Sequence, residues 1–478
     1  MPSLHSVLNT ASQSLQAQRQ GVAATAQNIS NVNTEGYSRT RVNLVSNTNP
    51  ETGLGTGVKV ENIEAMRDSF VEKKLLDEES QYGKYTAQAQ IMQQIEPSYD
   101  ESFGQGIDKS LTEFFNSWRQ LSNNPMGTAE RANVKSKGEL VVEQFNRAHN
   151  NLTSVQNGLS ADIESKITAA NNLAEEISTL NKLIRQSEVD ETQQANDFRD
   201  KRQVLLRELA QIIGINSFES SGHTNVLVAS GLSLVDGVRA GKFVLDNDKV
   251  YFTDPDQISK EDVTSKISKG SLGGLLEMRD QTITELKDNL DKMAFKLSGE
   301  TDPESFNNLH KQGYGDNNQT GIIFFKTYAD PINSAKTPPY GAAEQLKLSD
   351  EIELSIANIA TSTTLGERGN NEHALELASF QDKKLTFTRG TESFNLTLAD
   401  MYRADVSTVA VKTKKSIEFA EFEENIMQQL ENCRESVSGV SIDSELTNMM
   451  AFQKAFEASA RVVRVVDSLT DSIISLAG

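Results

Sequence analysis

"NISNVNTEGYSRTR", Asn28 to Arg41, ends one kind of pattern and begins another. Apolar residues before it recur at helical spacing, whereas polar and apolar residues simply alternate after it, as in a strand. Asparagine and glycine tolerate the left-handed backbone that ends helices, so Asn31, Asn33 and Gly36 are expected to stop a helix and turn the chain. Asn28 and Tyr37 belong to the same turn. The helix that stops here and the opposite end of the chain share one design.

Upstream of the turn, Leu4, Leu8, Ala11, Leu15, Gln18, Val22, Thr25 and Ile29 recur at alternating spacings of four and three. That is a heptad seam. Its Leu8, Leu15, Val22, Ile29 row is large and apolar; the alternate row of Leu4, Ala11, Gln18 and Thr25 buries little area, so this helix is marginal alone. At the other end Met449, Phe452, Phe456, Ser459, Val463, Val466, Thr470, Ile473 and Ala477 repeat the spacing, flanked by Val462 and Leu469. Two such seams face each other, or copies of themselves in an assembly.

The 478-residue chain exceeds one ordinary core and predicts several domains. Helices are expected from about Met66 to Glu96, over "IDKSLTEFFNSWRQLSNNP", from Glu130 to about Gln186, from Gln194 to Ile213, from Ser271 to Leu297, and from about Ser416 onward. "HTNVLVASGLSLVDG", "GKFVLDNDKVYFTD", "QTGIIFFKTY" and "DKKLTFTRGTESFNLTL" read as strands and hairpins with Asp-Asn and Arg-Gly turns. The expected fold class is mainly α with β-rich inserts, an elongated multidomain chain. Residues 1–45 and 438–478 would form a paired, coiled-coil-like terminal core domain. Residues 46–215, 270–300 and 350–437 would form a helical body, with 216–269 and 301–349 as β-rich outer inserts.

Net charge is −20, from 47 Lys and Arg against 67 Asp and Glu, which argues against a nucleic-acid backbone or an anionic membrane as main partner. One cysteine, Cys433, permits no intrachain disulfide and no cysteine zinc cluster. "MPSLHSVLNTASQSLQAQRQ" lacks the marks of a cleaved signal, and no window approaches the roughly eighteen apolar residues of a membrane span. The five histidines, His5, His149, His223, His310 and His373, stand at no ligand spacing. "GLGTGVKV" places its third glycine one position short of a dinucleotide fingerprint and reads as a hairpin turn; "KGSLGGLLEMRD" lacks the P-loop lysine and reads as helix entry with tight packing. No catalytic residue, metal or cofactor is expected.

The turn motif behind a seam-bearing helix, with the C-terminal "SGVSIDSELTNMMAFQKAFEASARVVRVVDSLTDSIISL", resembles the bacterial flagellar axial family of rod, hook and hook-associated proteins. The interior segments "LTEFFNSWRQLSNNP", "ANDFRDKRQVLLRELAQIIGI", "SLGGLLEMRDQ" and "FNNLHKQGYG" are similar to its hook-associated branch, at the first junction between hook and filament. That resemblance implies a structural, non-enzymatic adaptor of the extracellular flagellum, exported through the flagellum's type III channel without a cleaved signal. It implies a homo-oligomeric ring on the hook tip, contacting hook protein on one side and a second junction protein on the other, with an export chaperone as escort. The seam would lie at Leu4, Leu8, Ala11, Leu15, Val22 and Ile29 with Met449, Phe452, Phe456, Val463, Val466 and Ile473; Asn28, Asn31, Gly36 and Tyr37 would carry the turn. A neighbouring axial role, or an exported enzyme or adhesin with borrowed termini, are the alternatives.

Overall fold

The computed structural model describes residues 4–48, 55–99, 106–188, 194–220, 222–228, 231–256, 260–326, 339–389 and 392–477. In chain order these form helix α1 (Leu4–Ser30), strands β1 (Thr40–Thr48) and β2 (Gly55–Ala65), and helices α2 (Ser69–Ile95), α3 (Ile107–Asn123), α4 (Thr128–Ser187) and α5 (Asn196–Ile212). Short strands follow: β3 (Ile215–Ser220), β4 (His223–Val228), β5 (Leu232–Asp236), β6 (Arg239–Ala240), β7 (Lys242–Asp246), β8 (Lys249–Thr253) and β9 (Lys260–Asp262). Helix α6 (Gly270–Glu277) runs through a π-helical turn into α7 (Ile283–Ser298). Then come α8 (Phe306–His310), β10 (Phe325–Lys326), α9 (Ala342–Gln345), β11 (Lys347–Leu348), α10 (Asp350–Leu354) and α11 (Glu372–Ser379). The hairpin β12 (Leu385–Arg389) and β13 (Glu392–Leu396) precedes the long helices α12 (Leu398–Ser438) and α13 (Ile442–Ala477). The chain is mainly helical with small antiparallel sheets, as its periodicities predict.

Two compact units emerge. The first comprises Met1–Lys84, Glu164–Gly273 and Ala420–Gly478. Its sheets run β3-β4-β5-β6 and β7-β8-β9. The Asp-Asn turn signal holds: Asn247 and Asp248, between β7 and β8, both have positive φ, as a two-residue hairpin of this hand requires. Asn181 of α4 is wholly buried and donates to the Thr224 and Gly237 carbonyls, while its own oxygen accepts from Arg202 of α5. Gly270 opens α6 at φ +72°, and a Cβ there would stand 2.4 Å from the Ile212 carbonyl oxygen, so its glycine serves tight helix entry. The hairpin β1–β2 lies along α1, where Thr10 Oγ1 donates to the Thr56 carbonyl at 3.0 Å. Gly53 and Leu54, at the expected tip of that hairpin, lie outside the described residues, as does Gly390 of the Arg-Gly turn.

The second unit comprises Tyr85–Ile163 and Gly274–Phe419. Ile107, Leu111, Phe114, Phe115, Trp118 and Leu121 give α3 a continuous apolar face, and all six are buried. Against it pack Phe306, Phe324, Phe325 and Phe380 in an aromatic cluster, with Phe306 meeting Phe114, Trp118 and Phe380 edge to face. Residues 301–349, expected as a β-rich outer insert, contain as strands among the described residues only the two-residue pair β10/β11, and supply three of these core phenylalanines. An aromatic-rich run reads the same to period analysis whether it extends or folds into a core. Residues 327–338 of that insert are not described. The final helical region starts at Leu398 instead of near Ser416, with Thr397 Oγ1 accepting from the Asp400 amide and Met401, Tyr402 and Val409 buried.

Polar members of the quoted interior segments prove to be core fasteners. Asn307 donates to the Ser298 and Phe325 carbonyls and accepts from the Phe324 and Phe325 amides. His310 lies fully buried, with Nδ1 at 2.8 Å from the Ile322 carbonyl and Nε2 accepting from the Ala360 amide at 3.1 Å; burial pushes its pKa down to about 3, so the ring is neutral. Outside those segments, Arg131 does the same, donating to the carbonyls of Pro125 and Ile359 and to Thr361 Oγ1.

Candidate functional site

The first unit brings the two ends of the chain together as an antiparallel pair, α1 against α13. Its register is set by three rungs: Ser14 Oγ meets Ser459 Oγ at 2.8 Å, Gly21 faces the Phe452 ring and Asn28 bonds Glu445, and a step further out Val7 and Val466 line one groove. Each step of seven residues along α1 matches a step of seven back along α13, the repeat of a heptad. A Cβ on Gly21 would stand 2.6 Å from Phe452 Cδ1, so glycine supplies the hole that this knob fills.

This row of Val7, Ser14, Gly21 and Asn28 is not the one hydrophobicity singles out. Around it Ala11, Ala17, Ala24 and Thr25 are buried, whereas Leu4, Leu8, Leu15, Val22 and Ile29 are only half-buried. On α13, Val466 is buried, Met449, Phe452 and Val463 are half-buried, and Phe456 and Ile473 remain 40% and 51% exposed. Ala477 carries no described side-chain position. Small residues let the backbones approach closely, and the large apolar row on α1 is therefore left at the flank. Exposed Val462, Val465, Leu469 and Ile474 extend this uncovered apolar surface along α13.

Beyond the rungs, the turn motif forms a polar lock. Asn28, fully buried, donates through Nδ2 to the Thr40 carbonyl and to Glu445 Oε2, both at 2.9 Å; its Oδ1 accepts from Tyr37 Oη at 2.8 Å and from the Thr40 amide at 2.9 Å. Glu445, in the first turn of α13 where the helix dipole favours a carboxylate, also pairs with Arg39 Nε at 2.7 Å. Ser38 donates its amide to Asp200 of α5, which is held in turn by Arg67 at 2.6 Å. The Arg39 amide reaches the Ser438 carbonyl, and Arg434 of α12 reaches the Gly36 carbonyl. Burial, reinforced by the charges of Asp200, Asp197 and Glu445, raises the Tyr37 pKa, keeping its hydroxyl a proton donor to Asn28.

Gly36 has φ +76°, and a Cβ there would stand 2.2 Å from Val204 Cγ2, so both the backbone and the space at this turn require glycine. Asn31 and Asn33 lie in the turn that follows α1, but neither has the left-handed backbone. Asn31 ends α1 through its side chain instead, donating to the Gln27 carbonyl and accepting from Thr34 Oγ1. Glu445 was not legible as a partner, because nothing local marks a residue that acts 417 positions away.

Among the described residues no three His, Cys, Asp or Glu side chains converge on a metal position, and no helix is long and apolar enough to cross a membrane. The antiparallel terminal helices thus carry an uncovered apolar flank and are tied by the turn motif to α5 and α12. Both ends match axial-protein models: residues 8–37 match the flagella basal body rod protein family, and residues 434–476 match the flagellar basal body rod FlgEFG protein C-terminal family. The two ends are thus similar to those of flagellar axial proteins. Residues 92–325 match the helical domain of flagellar hook-associated protein FlgK. Flagellar hook-associated protein 1 of Bacillus subtilis is 30% identical, over 98% of this chain and 97% of its own. The Escherichia coli protein of the same name is 25% identical over 99% of this chain and 100% of its own. The structure of the flagellar hook junction protein FlgK from Burkholderia pseudomallei covers 77% of this chain and 100% of its own at a TM-score of 0.65 and 13% identity, a likeness of fold. The chain belongs to the flagellar hook-associated protein 1 (FlgK) family, structural proteins of the hook–filament junction.

Proposed function

We propose that the chain is a non-catalytic adaptor that assembles as a short helical ring on the hook tip, with hook protein beneath it and a second junction protein above. The observation that carries this reading is the division of labour on α1. Ser14, Gly21 and Asn28 are spent on pairing with α13 inside one subunit, while Leu8, Leu15, Val22 and Ile29 stay half-exposed beside exposed Phe456 and Ile473 on α13. Neighbouring copies supply the missing apolar cover, and heterologous head-to-tail contacts of this kind generate open helical arrays. The terminal core is 1–45 with 438–478, and the body makes the lateral contacts.

A terminal pair built on serine, glycine and alanine is weakly held alone, which suits a chain that travels largely unfolded through the flagellum's export channel, without a cleaved signal and with a chaperone's escort. The test is substitution on the uncovered row. Leu15→Asp should leave both units folded by circular dichroism and abolish ring formation and motility; normal motility would remove the seam from the account.

A further inference from the structure

In the first unit a groove opens between α4 and α5 beside the turn motif. Two helical faces flank it, one beginning at Asn172 on α4 and one at Asp197 on α5. Half-buried Leu180, Val204, Leu205 and Tyr37 give it an apolar floor. Its rim carries Glu35, Glu175, Glu176 and Asp197, all exposed and none in an ion pair among the described residues. Lys201 is the one cation in the described lining, and Asp200 is already neutralised by Arg67. An apolar floor under an acidic rim fits an amphipathic helix that shows apolar and basic side chains on one face.

The chain carries such a helix. On α13, Arg461, Val465 and Leu469 recur every four residues with Arg464 beside them, and all four are exposed. Neither arginine forms an ion pair among the described residues, in a chain of net charge −20. This stripe cannot reach the groove of its own subunit. It lies beside Leu4 and Val7 at the start of α1. The groove lies at the other end, around Asn31 and Tyr37, about 35 Å further along at the roughly 1.5 Å rise per residue of an α-helix.

We propose that the acidic groove of one copy receives the stripe of α13 residues 461–469 from a second copy, a contact that rests on the ring assembly above and names two surfaces that join it. Val465 and Leu469 pack on the apolar floor, while Arg461 and Arg464 meet the carboxylates of Glu175 and Glu176. Each copy offers the groove at one end of its terminal pair and the stripe at the other. The contact is therefore head-to-tail and propagates from copy to copy.

The test uses the full chain assembled on hooks bared by deletion of the gene, with Cys433→Ser as background. Arg464→Cys and Glu176→Cys in the same chain should give a ladder of disulfide-linked multimers on mild oxidation. Within one copy the two positions stand far beyond the roughly 7 Å between Cα atoms that a disulfide can bridge. Either substitution alone should leave monomers. Arg464→Glu and Glu176→Arg should each lower the amount of chain bound to hooks about tenfold, and the two together in one chain should restore it. Rings whose chains stay monomeric after oxidation, or charge reversals that fail to compensate, would overturn the groove contact and leave the ring standing. A photo-crosslinker on Glu176→Cys that captures hook protein instead of a second copy would do the same. No ring from the wild-type chain would overturn both.

Discussion

Glu445 Oε2 accepts a hydrogen bond from Asn28 Nδ2 at 2.9 Å across 417 residues of chain. The same carboxylate pairs with Arg39, so one buried acid fixes the start of α13 to the end of α1 and to the first residue before β1. Glu445→Ala strands a buried amide donor and a guanidinium, a loss of about 2–3 kcal/mol. Glu445→Gln keeps one acceptor for Asn28 and should lose roughly half of that. Urea unfolding monitored by exchange in α1 and α13 separates the two; equal behaviour of Ala and Gln would show that the charge alone matters.

Gly36 should tolerate no side chain. Its positive φ and the 2.2 Å approach to Val204 Cγ2 predict that Gly36→Ala loses about 1–2 kcal/mol and Gly36→Val more, since β-branching worsens the left-handed backbone. Thermal denaturation of both variants measures this; equal tolerance would mean that the turn rearranges.

Gly21→Ala sets two effects against each other. Alanine favours the helix by about 1 kcal/mol, but its methyl would overlap the Phe452 ring at 2.6 Å. Overlap wins if the pair is closely packed, so α1 should become less protected in Gly21→Ala and recover when Phe452→Leu is added. A more protected single variant would show that propensity governs this helix.

In the second unit Asp291 accepts from the Gly341 and Ala343 amides, both at 2.8 Å, and burial raises its pKa to about 6. Its favourable contribution is complete below the unfolded value of 3.8 and is lost as pH rises through about 6. Protection of Gly341–Gln345 should therefore be greater at pH 5 than at pH 7.5, and Asp291→Asn should level it.

Long helices and hairpins were legible because period and turn chemistry are local: α3, α4 and α5 begin and end within about two residues of expectation. The terminal pairing was legible in outline, yet the row that sets its register was not. Val7, Ser14, Gly21 and Asn28 share the heptad spacing, but serine, glycine and asparagine carry no hydrophobic signal, so the large neighbouring row drew the eye. What hydrophobicity marked instead is the surface left uncovered. Phe306, Phe324 and Phe325 were misplaced for the converse reason, since a run of aromatic residues does not announce whether it extends or folds inward.

The central claim is that the uncovered row of α1 and α13 is completed by neighbouring copies on the hook tip. Hooks bared by deletion of the gene, mixed with the purified full chain alone and imaged by electron microscopy, test it most directly. The account predicts a new ring on the distal tip with wild-type protein and bare tips with Leu15→Asp. Bare tips with folded wild-type protein, or rings with the variant, would contradict it.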